Sequence, residues 1–236
     1  MELLMDLHTH TIASGHAFST LKENIVQAKE RGLKVLGISD HSKGMPGASG
    51  PIYFGNFKVI KEEIMGVRIL KGIEANIVDY DGTIDADVEL RYLDYVIASI
   101  HSPCFTCGSE AENTKAVIGA MKNPAVRIIG HPDDGNFPIN CDEVAEAAAG
   151  LNVFLELNNS SLFDISVRKN GRENARRLLE ACKKHGALVV AGSDSHIYYD
   201  VGNFQEAARL LAEVDFPEEL VLNARLENLE LLLKSS

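Results

Sequence analysis

Seven of the eight histidines in this chain stand at or just beyond the end of a short apolar run: His8, His10, His16, His41, His101, His131 and His196. His8 and His10 follow Leu3-Leu4-Met5, and residues two apart on a strand point to the same side, so two imidazoles aim at one point. Asp194 and His196 repeat that spacing near the other end of the chain, and Glu74 closes a further run. Seven imidazoles, two carboxylates and no thiolate form a donor set suited to Zn, Mn or Fe rather than Mg or Ca. Nine donors exceed one tetrahedral ion, because a catalytic zinc takes about three protein ligands plus water. The count therefore points to three divalent ions.

Elements must carry these donors to one place. Apolar, β-branched runs over 3–7, 35–39, 67–73, 95–100, 126–130, 153–157 and 188–192 recur with helical patterns between them, the βα signature of a parallel sheet. Ligands gather at the C-terminal ends of such strands, in barrels and open sheets alike. Thr20 with Glu23 and Ser109 with Glu112 read as capping boxes, and Gly32 and Gly186 as left-handed stops. Asn203, with Glu206 three residues on, is expected to cap a late helix, and Leu226, Leu229, Leu232 and Leu233 form a closing amphipathic pattern.

The segment 42–55 holds four glycines with Pro46 and Pro51, so no regular element is expected there. A loop of that length is often functional, here a candidate lid. Helical patterns cover 57–64 and 88–92. Asp79, Asp81, Asp85 and Asp87 lack the spacing of a calcium loop and read as a solvated turn.

Composition narrows the function classes. A chain of 236 residues with 45% apolar and 24% charged residues reads as one domain over 1–236 with a full core. The formal charge of −11 argues against strong nucleic-acid binding, which depends on Lys and Arg displacing counterions. With no leader pattern and no membrane-length apolar run, the expected location is cytoplasmic, away from membranes. Homo-oligomers are left open. Four scattered cysteines do not make a disulfide scaffold, and the Cys104/Cys107 pair reads as two reduced thiols in a loop, with redox sensitivity as the alternative.

His8-Thr9-His10 with His16, Asp40-His41, Gly72-Ile73-Glu74, His101, His131 and Asp194-Ser195-His196 together resemble the PHP (polymerase and histidinol phosphatase) superfamily. The compact length is similar to its bacterial YcdX-type phosphatase subgroup. The resemblance implies a single distorted TIM-like (β/α)7 barrel with a trinuclear metal site at the strands' C-terminal ends, zinc foremost, Mn or Fe as alternatives. It implies that His8, His10, Glu74 and Asp194 hold the first ion. Glu74 would bridge to a second with His101 and His131, and His16, His41 and His196 would hold the third. Glu74 and Asp194 would thereby position a nucleophilic water for in-line attack on a small phosphate monoester.

Around the ligands, Asp6 shares the face of His8 and either orients an imidazole or makes a plain hydrogen bond at the core edge. Asp40 alternates away from His41 and reads as its structural partner. Asn158 and Asn159 lie at the rim as candidates for substrate contact; Arg168 and Lys169, in the next loop, read as solvated surface charge, with contact to a distal substrate group as the alternative. Two rivals remain to the phosphatase: a phosphodiesterase or 3′ to 5′ exonuclease, and a non-catalytic metal-binding scaffold.

Overall fold

The computed structural model describes residues 1–87 and 91–233. Its strands, in chain order, are β1 (Met5–Asp6), β2 (Val35–Ile38), β3 (Glu63–Ile64), β4 (Val67–Asn76), β5 (Tyr95–Ser99), β6 (Val126–Ile129), β7 (Phe154–Asn158) and β8 (Val189–Gly192). All but β3 are parallel and run in the spatial order β1-β2-β4-β5-β6-β7-β8. They make a nearly closed, TIM-like barrel of seven strands. β2, β5, β6, β7 and β8 are buried along their whole length, as strands covered on both faces must be.

The seam lies between β1 and β8, which share no continuous ladder among the described residues. A single parallel bridge joins Thr9 to Ser195, with the His10 amide donating to the Ser195 carbonyl at 2.9 Å. Elsewhere side chains cross the gap. The Asn223 amide donates to the carbonyls of Met5 and Ala191, both at 2.9 Å, and accepts from the Ala191 amide at 3.2 Å. Asp6 accepts from the amides of Ser193 at 3.2 Å and Gly202 at 2.7 Å. This substitution of side chains for backbone pairs is the physical content of the barrel's distortion.

The barrel is filled by Met5, Leu7, Val35, Leu70, Tyr95, Ile97, Ile128, Phe154 and Val190, with Leu222, Leu229 and Leu232 packed against them. Tyr95 spans this interior and donates its hydroxyl to the Leu7 carbonyl at 2.6 Å. Gly37 and Gly72 make room for it, since a Cβ on either would lie 2.0 and 2.4 Å from Tyr95 atoms. Gly72 pairs with Tyr95 in the ladder, so Glu74 stands one same-face position above an aromatic floor.

Helices α1 (Leu21–Glu30), α2 (Pro51–Gly55), α3 (Glu110–Met121), α4 (Cys141–Leu151), α5 (Gly171–His185), α6 (Gln205–Glu213) and α7 (Leu229–Leu233) accompany the strands. Both expected capping boxes are present, at Thr20/Glu23 and Ser109/Glu112, and Gly186 ends α5 in the left-handed conformation. No helix among the described residues is long and apolar enough to cross a membrane.

Several expected elements differ. The segment 42–55 contains α2, whose first residue is Pro51, a position where the missing amide hydrogen costs nothing. Over 57–64 there is a 3-10 turn and then β3, which turns back on β4 through Met65 (φ 58°) and Gly66 (φ 83°). Two consecutive positive φ values suit a tight hairpin, which a Met-Gly pair signals poorly. The α6 amides of Glu206 and Ala207 are capped by the distant Asn159 at 3.0 and 2.9 Å, while Asn203 reaches only the Gln205 amide at 3.4 Å. Of the helix expected over 88–92, residues 88–90 lie outside the described residues.

Candidate metal centre

The nine donors sit on the connections that leave the strands' C-terminal ends, or on the last turns of the strands themselves. His8 and His10 follow β1, His41 follows β2, Glu74 is on β4, His101 follows β5, His131 follows β6, and Asp194 and His196 follow β8. His16 comes from a 3-10 turn, Ile12–Ser14, that brings it back over the rim.

Their donor atoms crowd into one space. His8 Nε2 lies 3.3 Å from Glu74 Oε1 and 3.5 Å from Asp194 Oδ1; His10 Nε2 lies 3.5 Å from Glu74 Oε2 and 3.3 Å from Asp194 Oδ1. His101 and His131 approach Glu74 Oε1 at 3.2 and 3.0 Å and each other at 3.2 Å through Nε2. His41 Nδ1 is 2.7 Å from Glu74 Oε2, and His196 Nε2 is 3.0 Å from His16 Nε2. Three sets of donors lie within 4.8 Å of one another: His8, His10 and Asp194; His41, Glu74 and His101; His10, His41 and His196. His10 and His41 each belong to two sets.

Divalent ions fit this arrangement. Ligand atoms about 2.0–2.1 Å from a tetrahedral zinc stand roughly 3.3 Å apart, close to the separations above. His8 Nε2 and His10 Nε2 are buried without a hydrogen-bond partner, while His41 Nδ1 and Glu74 Oε2 have only each other, at 2.7 Å. Each such orphan costs about 1–3 kcal/mol unless something else satisfies it. Burial and the neighbouring imidazoles of His196 and His41 hold His10 neutral, and burial pushes His101 down to about 4, so both present lone pairs. Burial raises the carboxyls of Glu74 and Asp194, but the imidazoles that face them, His8 foremost, and the Arg168 guanidinium at Asp194 hold both well below the usual carboxylate range.

A set of partners outside the nine fixes the rings. Glu156 on β7 is the principal one: Oε1 lies 2.7 Å from His8 Nδ1, and Oε2 accepts the His131 amide at 2.7 Å and the Asn158 side-chain amide at 3.0 Å. Gly192 makes space for this carboxylate, since a Cβ there would come 1.9 Å from Oε1. His10 Nδ1 meets Ser14 Oγ at 2.9 Å, and Ser14 donates to Asp40 at 2.6 Å. His101 Nδ1 meets Asn76 Oδ1 at 2.8 Å, and Asn76 donates to Asp85 at 2.8 Å. Such partners set which ring nitrogen carries the proton and which faces inward. His131 (φ 30°) and Asp194 (φ 53°) hold backbone conformations that non-glycine residues avoid, so two of the rim positions are strained.

The remaining candidates from the sequence take distinct places. Asp6 ties backbone amides across the seam and touches no imidazole; burial raises its carboxyl to about 6. Asp40 accepts from the Thr11 amide and hydroxyl, Ser14 and Tyr53, so it reaches His10 only through Ser14. Asn158 is fully buried, donating to Glu156 and Asp194 and accepting from Ser161 and Arg168. Asn159 caps α6. Arg168 donates to Asp194 Oδ2 at 2.7 Å and to Asn158 at 3.0 Å, while Lys169 is exposed.

The segment 42–55 is anchored rather than free. The Ser42 amide donates to the Glu74 carbonyl at 2.9 Å, the Gly44 amide to Asp85 at 2.9 Å and the Ser49 amide to the Ala13 carbonyl at 2.9 Å. Ser42 also donates to Asp85. Asp85 thus leaves the solvated turn and pins this loop to the end of β4. All four cysteines are free thiols, and Cys104 is half-buried in the loop after His101.

Residues 6–160 match the model of the PHP domain family. The chain belongs to that family. A protein of Caldanaerobacter subterraneus named a probable phosphatase is 48% identical over 99% of this chain and 92% of its own length. One from Clostridium novyi, also named a probable phosphatase, is 45% identical over 100% of this chain and 96% of its own. Among solved structures, the histidinol phosphate phosphatase of Lactococcus lactis, complexed with zinc, L-histidinol and phosphate, superposes with a TM-score of 0.63. It covers 90% of this chain and 94% of that one at 19% identity, a likeness of fold.

The roles of Glu156, Ser14 and Asn76 emerge only from the fold, although the sequence carries a signal for two of them. Glu156 and Asn158 are polar residues two apart in an otherwise apolar buried strand, and Asn76 repeats the face of Glu74. Ser14 carried none.

Proposed function

We propose that this PHP protein hydrolyses small phosphate monoesters with divalent ions held by His8, His10, His16, His41, Glu74, His101, His131, Asp194 and His196, three ions in all. The observation that carries the reading is the pair of orphaned, inward-facing Nε2 atoms of His8 and His10, 3.3 to 3.5 Å from the carboxylates of Glu74 and Asp194, a ligand-to-ligand spacing longer than a hydrogen bond. Zinc is the favoured metal, since imidazole and carboxylate donors suit it and the solved phosphatase of like fold is a zinc complex. Bound divalent ions supply a water acidified toward neutral pH and positive charge for the phosphoryl oxygens.

The chain's own residues set the geometry. Glu156 orients His8 and, through the backbone, His131; the Asp40–Ser14 pair orients His10; the Asp85–Asn76 pair orients His101. Arg168 clamps Asp194 Oδ2 and leaves Oδ1 facing His8 and His10. Of the four candidate substrate residues, Arg168 and Asn158 act by holding Asp194, Asn159 caps α6, and Lys169 stands at the exposed rim. The aromatic floor at Tyr95 closes the site from below against water.

A monoester fits better than a polynucleotide because the chain carries a formal charge of −11. The relatives named probable phosphatases support the same choice. Metal-reconstituted protein is expected to release p-nitrophenol from p-nitrophenyl phosphate and to leave bis(p-nitrophenyl) phosphate and single-stranded DNA intact. Cleavage of the diester or of DNA without the monoester would overturn the reading.

A further inference from the structure

A cleft of 520 Å³ opens directly from Asp194 and His196, bounded by the loop that leaves β7 and by Asp200 and Asn203 after β8. Its size is that of a small-molecule site rather than a phosphate niche alone. The loop presents Phe163, Ile165 and Val167 into its lining, and they are 40, 94 and 89% exposed. Burying such side chains against a ligand gains roughly 25 cal/mol per Å² of apolar area, so their exposure beside a reaction centre is costly unless something covers them.

Most polar groups in the lining are already committed. Arg168 is held by Asp194, Asn158 and Ser161, Asn159 accepts two α6 amides, Ser166 accepts the Arg168 amide, and Asn203 accepts the Gln205 amide. What remains to meet a ligand is the apolar trio, the Ser160 hydroxyl, the Asn203 side-chain nitrogen and Asp200, whose carboxylate has no ion pair among the described residues.

We propose that this cleft seats the alcohol part of the monoester, and that it selects an apolar or aromatic alcohol bearing no second anionic group. The selection rests on the phosphatase reading above. Phe163, Ile165 and Val167 supply the contact, and Asp200 repels a carboxylate or second phosphate. A hydroxyl-rich alcohol would lose water hydrogen bonds against the trio and find few free partners in return.

The test compares kcat/KM of the metal-loaded protein for 1-naphthyl phosphate, glycerol phosphate and 3-phosphoglycerate. The expected order is naphthyl over glycerol by about tenfold or more, the scale of a few buried carbons, with phosphoglycerate lowest. In the double variant Ile165→Ser with Val167→Ser, both at exposed positions outside the core, the naphthyl-to-glycerol ratio is expected to fall about fivefold through KM. In Asp200→Asn the phosphoglycerate-to-glycerol ratio is expected to rise about fivefold. Equal turnover of all three esters, or ratios unmoved by these substitutions, overturns the selection while leaving the phosphatase reading standing. Hydrolysis of none of them overturns both.

Discussion

The carboxylate of Glu156 and the imidazole of His8, 148 positions apart in the chain, meet at 2.7 Å between Oε1 and Nδ1, both side chains out of contact with solvent. Because Nδ1 is engaged, Nε2 is the nitrogen that faces Glu74 and Asp194. The other oxygen of the same carboxylate holds the His131 amide at 2.7 Å, so one side chain sets two donors.

Glu156→Gln keeps the shape and removes the charge. The expected outcome is a metal affinity lower by about 10–100-fold, the usual cost of losing an orienting carboxylate. Competition with a chromophoric chelator measures it. Unchanged affinity would mean that His8 needs no help from β7.

His10→Ala removes a donor that belongs to two of the three donor sets. The protein is expected to lose bound metal and to lose hydrolysis of an aryl phosphate, with its far-UV circular dichroism spectrum retained. Full activity in that variant would refute the ligand assignment. The Ser14–Asp40 pair behind His10 predicts a milder loss of metal for Ser14→Ala.

Asn223→Ala opens the seam. It strands the Met5 carbonyl and both backbone groups of Ala191, all buried, and each stranded group costs about 1–3 kcal/mol. A fall in unfolding free energy of about 3 kcal/mol or more is expected in urea, with an unchanged m-value. A loss below about 1 kcal/mol would show that water replaces the amide without cost.

The capping box of α3 makes a pH-dependent contribution. Glu112 accepts the Ser109 amide and hydroxyl at 2.8 and 2.7 Å, which lowers its carboxyl below the ordinary 4.5. A depressed folded value means that the stabilisation is complete above pH 4.5 and is lost as pH falls through the lower folded value. Urea midpoints between pH 7 and pH 3 should therefore fall further for the native chain than for Glu112→Gln. Parallel curves would refute this.

The convergence of the nine side chains was legible because all but His16 stand at or just after the end of an apolar run, and strand-end placement survives any error in element boundaries. The parallel sheet was legible from the same runs. What the sequence hid depends on contacts between distant segments. Asn159 caps a helix that begins 46 residues later, a role that belongs by local pattern to Asn203. Asp85 lay within an acidic stretch that read as solvated, yet it braces Asn76 and the segment 42–55. β3 was hidden by a Met-Gly turn, and α2 by glycines and prolines that mark its start rather than its absence. Glu156 was visible as a charge in a buried strand, a placement that requires a partner; the identity of that partner required the fold.

The most direct test of the whole account is a titration of metal-stripped protein with zinc, following p-nitrophenyl phosphate hydrolysis against ions bound per chain. No hydrolysis is expected without metal, and a rise that levels off at three ions per chain. Full hydrolysis by metal-free protein, or three bound ions with no hydrolysis, would contradict it.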